Sequence, residues 1–123
     1  MAKLSKQKQD EMIKKEIERL NEICKDLSED KRKASRDLIA RIAFMTITLE
    51  ILEDEIKVKG PTYLFKQGAQ QMLIESPSQK SYNAMINRYT SAYDKLFSLL
   101  PKDVPKVEND GFDEFINGRE DVD

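Results

Sequence analysis

The sequence predicts an all-α protein: a long antiparallel helical hairpin with an N-terminal helix before it, a short connector inside it, and a disordered acidic C-terminal tail. Three observations predict this. Apolar residues recur at alternating spacings of 3 and 4 over three long stretches, the period of one helical face. Each stretch is bounded by residues that start or stop helices. The charged fraction is 36% and the apolar fraction 39%, against usual values of about 25% and about 45–50%. Such a balance suits long helices with solvated faces, and a chain that needs copies of itself to bury enough surface.

The first helix is expected from about Ser5 to Lys25, with Ile13, Ile17, Leu20, Cys24 and Leu27 on one face. The second is expected from about Glu29 to Lys57, with Ser28 as a plausible cap. Either Ser28 starts a new helix or residues 3–57 run nearly continuously. The apolar stripe of the second helix is Leu38, Ile42, Met45, Leu49, Leu52 and Ile56, while Phe44, Ile47 and Ile51 lie off it. Its first third, Asp30 to Asp37, lacks large apolar residues and reads as solvated. At 1.5 Å per residue this helix spans roughly 43 Å.

Gly60-Pro61 stops that helix. Tyr63-Leu64-Phe65 and Met72-Leu73-Ile74 then flank a turn centred on Gly68, a pattern compatible with a small β-hairpin. Such a hairpin is marginal alone and wants a neighbour, another subunit being one candidate. The third helix begins with Ser76 as cap and Pro77 where its missing N–H costs nothing, and it stops at Pro101. Tyr82, Met85, Ile86, Tyr89, Tyr93, Leu96, Phe97 and Leu100 share its apolar side. The domain reading is a basic helical region at 1–37, a helical-hairpin oligomerisation core at 38–100, and an acidic tail at 101–123.

Charge is graded along the chain. Residues 1–41 hold 12 Lys+Arg against 9 Asp+Glu, residues 42–100 hold 6 against 6, and residues 101–123 hold 3 against 8. Different partners at the two ends follow from that gradient. Within the tail, Phe112, Phe115 and Ile116 have the spacing of one face of a short helix, flanked by Asp113 and Glu114. They read as a docking segment for a basic groove.

Composition argues against several chemistries. There is no histidine, so a Ser-His-Asp triad is out of reach and the commonest zinc ligand is missing. Four scattered glycines build no phosphate loop. The expectation is a non-enzyme with no cofactor, no metal and no small-molecule substrate. The single cysteine, Cys24, cannot form an intrachain disulfide and reads as a small buried hydrophobe. Glu50, Glu53, Asp54 and Glu55 are close in sequence, but a solvated helix face explains them better than a metal site. No apolar run of about 18 residues and no signal-peptide pattern is evident, which predicts a soluble protein of the cytoplasm with no membrane partner.

The basic residues are the nucleic-acid candidates: Lys14, Lys15 and Arg19 on the first helix, and Lys31, Arg32, Lys33, Arg36 and Arg41 at the start of the second. Cations of this kind neutralise phosphates, and copies around a ring add avidity. Tyr82, Tyr89 and Tyr93 lie along the packed face and read as core or interface, not as a base-stacking platform. The interface candidates are Leu38, Ile42, Met45, Leu49, Leu52, Ile56, Tyr82, Ile86, Tyr89 and Tyr93.

One family resemblance adds to this. Ile39-Ala40-Arg41-Ile42-Ala43-Phe44-Met45 with Leu49-Glu50 and Leu52-Glu53, the Gly60 break, Ser76-Pro77 with Tyr82-Asn83-Ala84-Met85-Ile86, and Leu99-Leu100-Pro101-Lys102 together resemble the small subunit of tailed-phage terminases. The resemblance covers roughly residues 40–102. It implies a helical, non-catalytic protein that assembles into a homo-oligomeric ring and binds double-stranded viral DNA at the packaging site. It also implies regulation of a large ATPase/nuclease subunit in the host-cell cytoplasm, with Phe112, Phe115 and Ile116 as the docking segment. Only about 37 residues precede the hairpin, so no recognition helix is carried over. A coiled-coil adaptor without a DNA role and a small dimeric DNA-binding regulator are the alternatives.

Overall fold

The computed structural model describes residues 4–101, and within them the chain is mostly helical. There are three helices, α1 (Lys6–Ile23), α2 (Glu29–Lys59) and α3 (Pro77–Leu99), and one small sheet of β1 (Thr62–Gln67) and β2 (Gln70–Glu75) that falls between α2 and α3 in chain order. The tail residues Phe112, Phe115 and Ile116 lie outside the described residues.

Each helix starts on a serine. The Ser5, Ser28 and Ser76 hydroxyls accept from the backbone N–H groups of Lys8, Lys31 and Gln79 at 3.0, 3.2 and 3.1 Å. Such caps satisfy donors that a helix start leaves unpaired. The chain is therefore broken between the first two helices: α1 ends at Cys24, the Leu27 N–H donates to the Cys24 carbonyl at 3.1 Å, and Ser28 opens α2. Gly60 ends α2 at a positive φ of 89°, its N–H donating to the Ile56 carbonyl at 2.7 Å. Lys57 and Lys59 in that last turn suit the negative end of the helix dipole.

α2 packs against both of the other helices. Leu20, Cys24 and Leu27 from the first helical segment, Ile39, Ile42 and Ala43 from α2, and Leu96 from α3 form a single buried cluster. Ile13, Ile17, Tyr89, Ala92, Tyr93 and Leu100 pack around it. Polar contacts between α3 and α2 run in opposite chain order. Ser78 donates to Glu55 at 2.5 Å, Tyr82 donates to Glu53 at 3.0 Å, and the Thr46 and Tyr89 hydroxyls lie 3.4 Å apart.

The buried face of α2 differs from the predicted stripe. Ile42 and Leu49 are buried as expected, but the rest of the buried set is Ser35, Ile39, Ala43 and Ile47. Leu38, Met45, Leu52 and Ile56 are only half-buried. Ile39, Ala43 and Ile47 follow one another at spacings of 4, forming a second row beside the first. A helix flanked by two neighbours needs two rows, and the single-stripe reading supplied one. Ser35, in the stretch read as solvated, is 1% exposed and donates to the Arg32 carbonyl at 3.1 Å. Phe44, by contrast, stays half exposed.

The connector is an antiparallel β-hairpin, paired without interruption from Thr62↔Glu75 to Gln67↔Gln70. Gly68 turns it at φ 63°, and no other residue of the turn has a positive φ. That is the pattern of a two-residue type II′ turn, which needs glycine first and matches the twist of the strands. Every residue of both strands is exposed except Ile74, which is half-buried.

Candidate nucleic-acid interface

α2 and α3 meet along a shallow, open groove lined by Leu38, Asn87, Arg88, Ser91, Ala92 and Lys95. Leu38 and Ala92 give it an apolar floor. Arg88 and Lys95 are seven residues apart, two helical turns, which separates them by about 10.5 Å along one face of α3. Lys31 lies seven residues before Leu38 and Arg41 three after, spacings that put both on the Leu38 side of α2. All four cations are exposed and none makes an ion pair among the described residues. Asn87 and Ser91 add neutral donors between them. Two cations in the groove lining and two on the same side of α2 can neutralise a phosphate backbone, and each contact would release a condensed counterion.

The other sequence candidates fall elsewhere. Arg32 and Arg36 are one turn apart with Lys33 beside them, so they form a separate exposed edge of α2. Lys33 is 3.9 Å from Glu29, a loose surface pair. Lys14 and Lys15 are exposed on α1. Arg19 is engaged: its Nε and Nη2 donate to the two Glu16 carboxylate oxygens at 3.0 and 2.6 Å, and Nη2 also donates to the Tyr93 hydroxyl at 3.3 Å. The Glu16 hydrogen bonds, and then that of Tyr93, raise the Arg19 pKa further above its ordinary value. Arg19 thus ties α1 to α3, and its charge is already offset by Glu16. The eight basic residues read from the sequence do not share one face.

Arg88 and Lys95 are functional candidates that the sequence reading missed. Their seven-residue spacing puts them on one flank of α3, but nothing in α3 alone says which helix lies beside that flank. A third helix read chiefly for its core-facing residues gives no reason to inspect its flank.

The interface candidates are used largely within one chain. Ile42 is 0% exposed and Leu49 4%. The Tyr89 ring meets Tyr93 edge-on at 5.5 Å, and Tyr93 meets Phe97 at 4.9 Å. Tyr82 donates to Glu53, and that hydrogen bond, then burial, raises its pKa. Leu38, Met45, Leu52, Ile56 and Ile86 are half-buried. Among the described residues the large exposed apolar side chains are instead Leu4 before α1, Ile23, Phe44, Val58 and Phe97 on helices, and Tyr63, Leu64, Phe65, Met72 and Leu73 on the hairpin.

The remaining chemistry is plain. Cys24 is 2% exposed and burial raises its thiol pKa, the opposite of an activated nucleophile. Glu53 and Glu55 accept from Tyr82 and Ser78, and Asp54 faces Lys57 at 3.6 Å, so the acidic run of α2 points in several directions. Among the described residues no group of three or more metal-ligating side chains comes together. Among the same residues no helix is long and apolar enough to cross a membrane. No protein-family model, curated protein or solved structure matches this chain.

Proposed function

We propose that the protein is a non-catalytic, self-assembling subunit that binds double-stranded DNA and regulates a separate DNA-packaging ATPase/nuclease, as small terminase subunits do. The observation that carries the DNA part is the groove between α2 and α3, with Arg88 and Lys95 in its lining and Lys31 and Arg41 on the Leu38 side of α2, all four without an ion pair among the described residues. One such groove binds a duplex weakly; several around a ring of copies act together. In this reading α2 and α3 form a helical hairpin at the centre of each subunit. The acidic tail, with Phe112, Phe115 and Ile116, docks on the large subunit, and the protein works in the host-cell cytoplasm. The segment read as 1–37 supplies further cations and a helix that closes the core.

The test is duplex binding followed by fluorescence anisotropy over a salt series. Each phosphate contact contributes a slope of about 0.9 in log K against log salt. Charge reversal of Lys31, Arg41, Arg88 and Lys95 is expected to weaken binding by more than tenfold and to flatten the slope. Reversal of Arg32, Lys33 and Arg36 is expected to do less. If the second set carries the effect, DNA lies on the outer edge of α2 and the groove reading fails. If wild type binds no DNA at any salt, the coiled-coil adaptor takes its place. A stable dimer that binds DNA with the same slope points to the small regulator.

A further inference from the structure

The β-hairpin has the makings of a joint, and among the described residues its strands stay exposed except at Ile74. Residues opposite each other in an antiparallel pair share a face. Tyr63, Phe65, Met72 and Ile74 therefore form one face, and Leu64 with Leu73 the centre of the other. Leu73 is 70% exposed and Met72 53%. Together the large side chains leave on the order of 500 Å² in water, more than half of the about 800 Å² per partner of a stable interface.

The strand edges are open as well. Gln67 and Gln70 flank the two-residue turn and exchange hydrogen bonds, so pairs alternate from there. Lys66 and Gln71, and then Leu64 and Leu73, point their backbone N–H and C=O groups outward. Proteins ordinarily protect such edges with proline, bulges or inward charges. Here the register is unbroken, neither strand contains proline, and Lys66 is the one cation on either strand.

We infer that the hairpin is the joint between copies of this chain, the β1 edge of one copy pairing with the β2 edge of the next. An isolated two-stranded hairpin is marginal in water, so its cover must always be present. A second copy brings one β1 edge and one β2 edge for each that it covers. Pairing β1 with β1, or β2 with β2, would leave an open edge on every copy. Head-to-tail pairing covers both edges, and it forms a ring where the rotation between successive copies closes. This inference deepens the self-assembly part of the proposed function and does not depend on DNA binding.

The experiment is native mass spectrometry of the full chain at micromolar concentration without DNA. Wild type is expected as a closed oligomer of three or more copies. Gln71→Pro removes one outward N–H and no bond inside the hairpin; it is expected to give monomer with unchanged helical circular dichroism, while Gln71→Ala stays oligomeric. Phe65→Asp is expected to act like the proline variant. A wild-type monomer, a wild-type dimer, or an oligomer that survives both Gln71→Pro and Phe65→Asp overturns the inference. Amide exchange on wild type tests it without any variant. The outward N–H groups of Leu64, Lys66, Gln71 and Leu73 should be as protected as those of Phe65 and Met72. Free exchange of the four, beside protection of the two, overturns it too.

Discussion

The helical body and the β-hairpin are built from similar side chains and treat them in opposite ways. In the body, Ile42 and Ala43 reach 0% exposure and their neighbours on α1 and α3 close over them. In the hairpin, alternating leucines, aromatics and methionine remain exposed among the described residues. The body follows the rule that a helix buries one face against another helix. The hairpin shows no such covering layer among the described residues. In the proposed assembly its exposed apolar surface is where copies meet.

The largest effects should separate the two regions. Leu49→Asp puts an unpaired carboxylate into a 4% exposed site of the body and is expected to cost on the order of 3–5 kcal/mol, seen as loss of the cooperative thermal transition. Leu73→Asp on the hairpin is expected to change the stability of a monomeric background by about 0.5 kcal/mol or less. A hairpin variant that melts as badly as the core variant would erase the distinction.

Two local devices give intermediate effects. Ser76→Ala removes the cap of α3 and is expected to lower stability by about 1 kcal/mol. Gly68→Ala meets nothing within 4 Å, so only its positive φ is at stake. That strain is about 1–2 kcal/mol and falls on the hairpin, read as weaker strand amide protection with unchanged helix content.

The smallest effect is a titration. Tyr82 donates to Glu53, which raises its pKa in the folded chain. A raised pKa stabilises the fold fully below the ordinary tyrosine value and loses that contribution as pH climbs through the folded value. Tyr82→Phe is therefore expected to cost about 0.5–1 kcal/mol at neutral pH and nothing at strongly alkaline pH. A gap between variant and wild type that stays constant through pH 10 and above would detach the hydroxyl from stability.

Much of this was written in local chemistry. Ser28, Ser76, Pro77, Gly60 and Gly68 each act through neighbours a few residues away, and all were legible. The α1 stripe was legible too, because α1 presents one face to one core. The α2 face was not. Ala43 and Ser35 are too small to register in a search for large apolar residues, and both are buried where another helix comes close. Arg88 and Lys95 acquire meaning only once α3 lies beside Leu38 of α2, and no spacing within α3 states that.

The hairpin base has a mechanical consequence. Two residues, Gly60 and Pro61, separate α2 from β1; one, Ser76, separates β2 from α3. The Ser76 N–H donates to the Pro61 carbonyl at 2.7 Å and so clasps the two joints together. With so few free torsions at the base, the direction of the strands is tied to the last turn of α2 and the first turn of α3, and a rotation of the hairpin is expected to require movement of those helix ends.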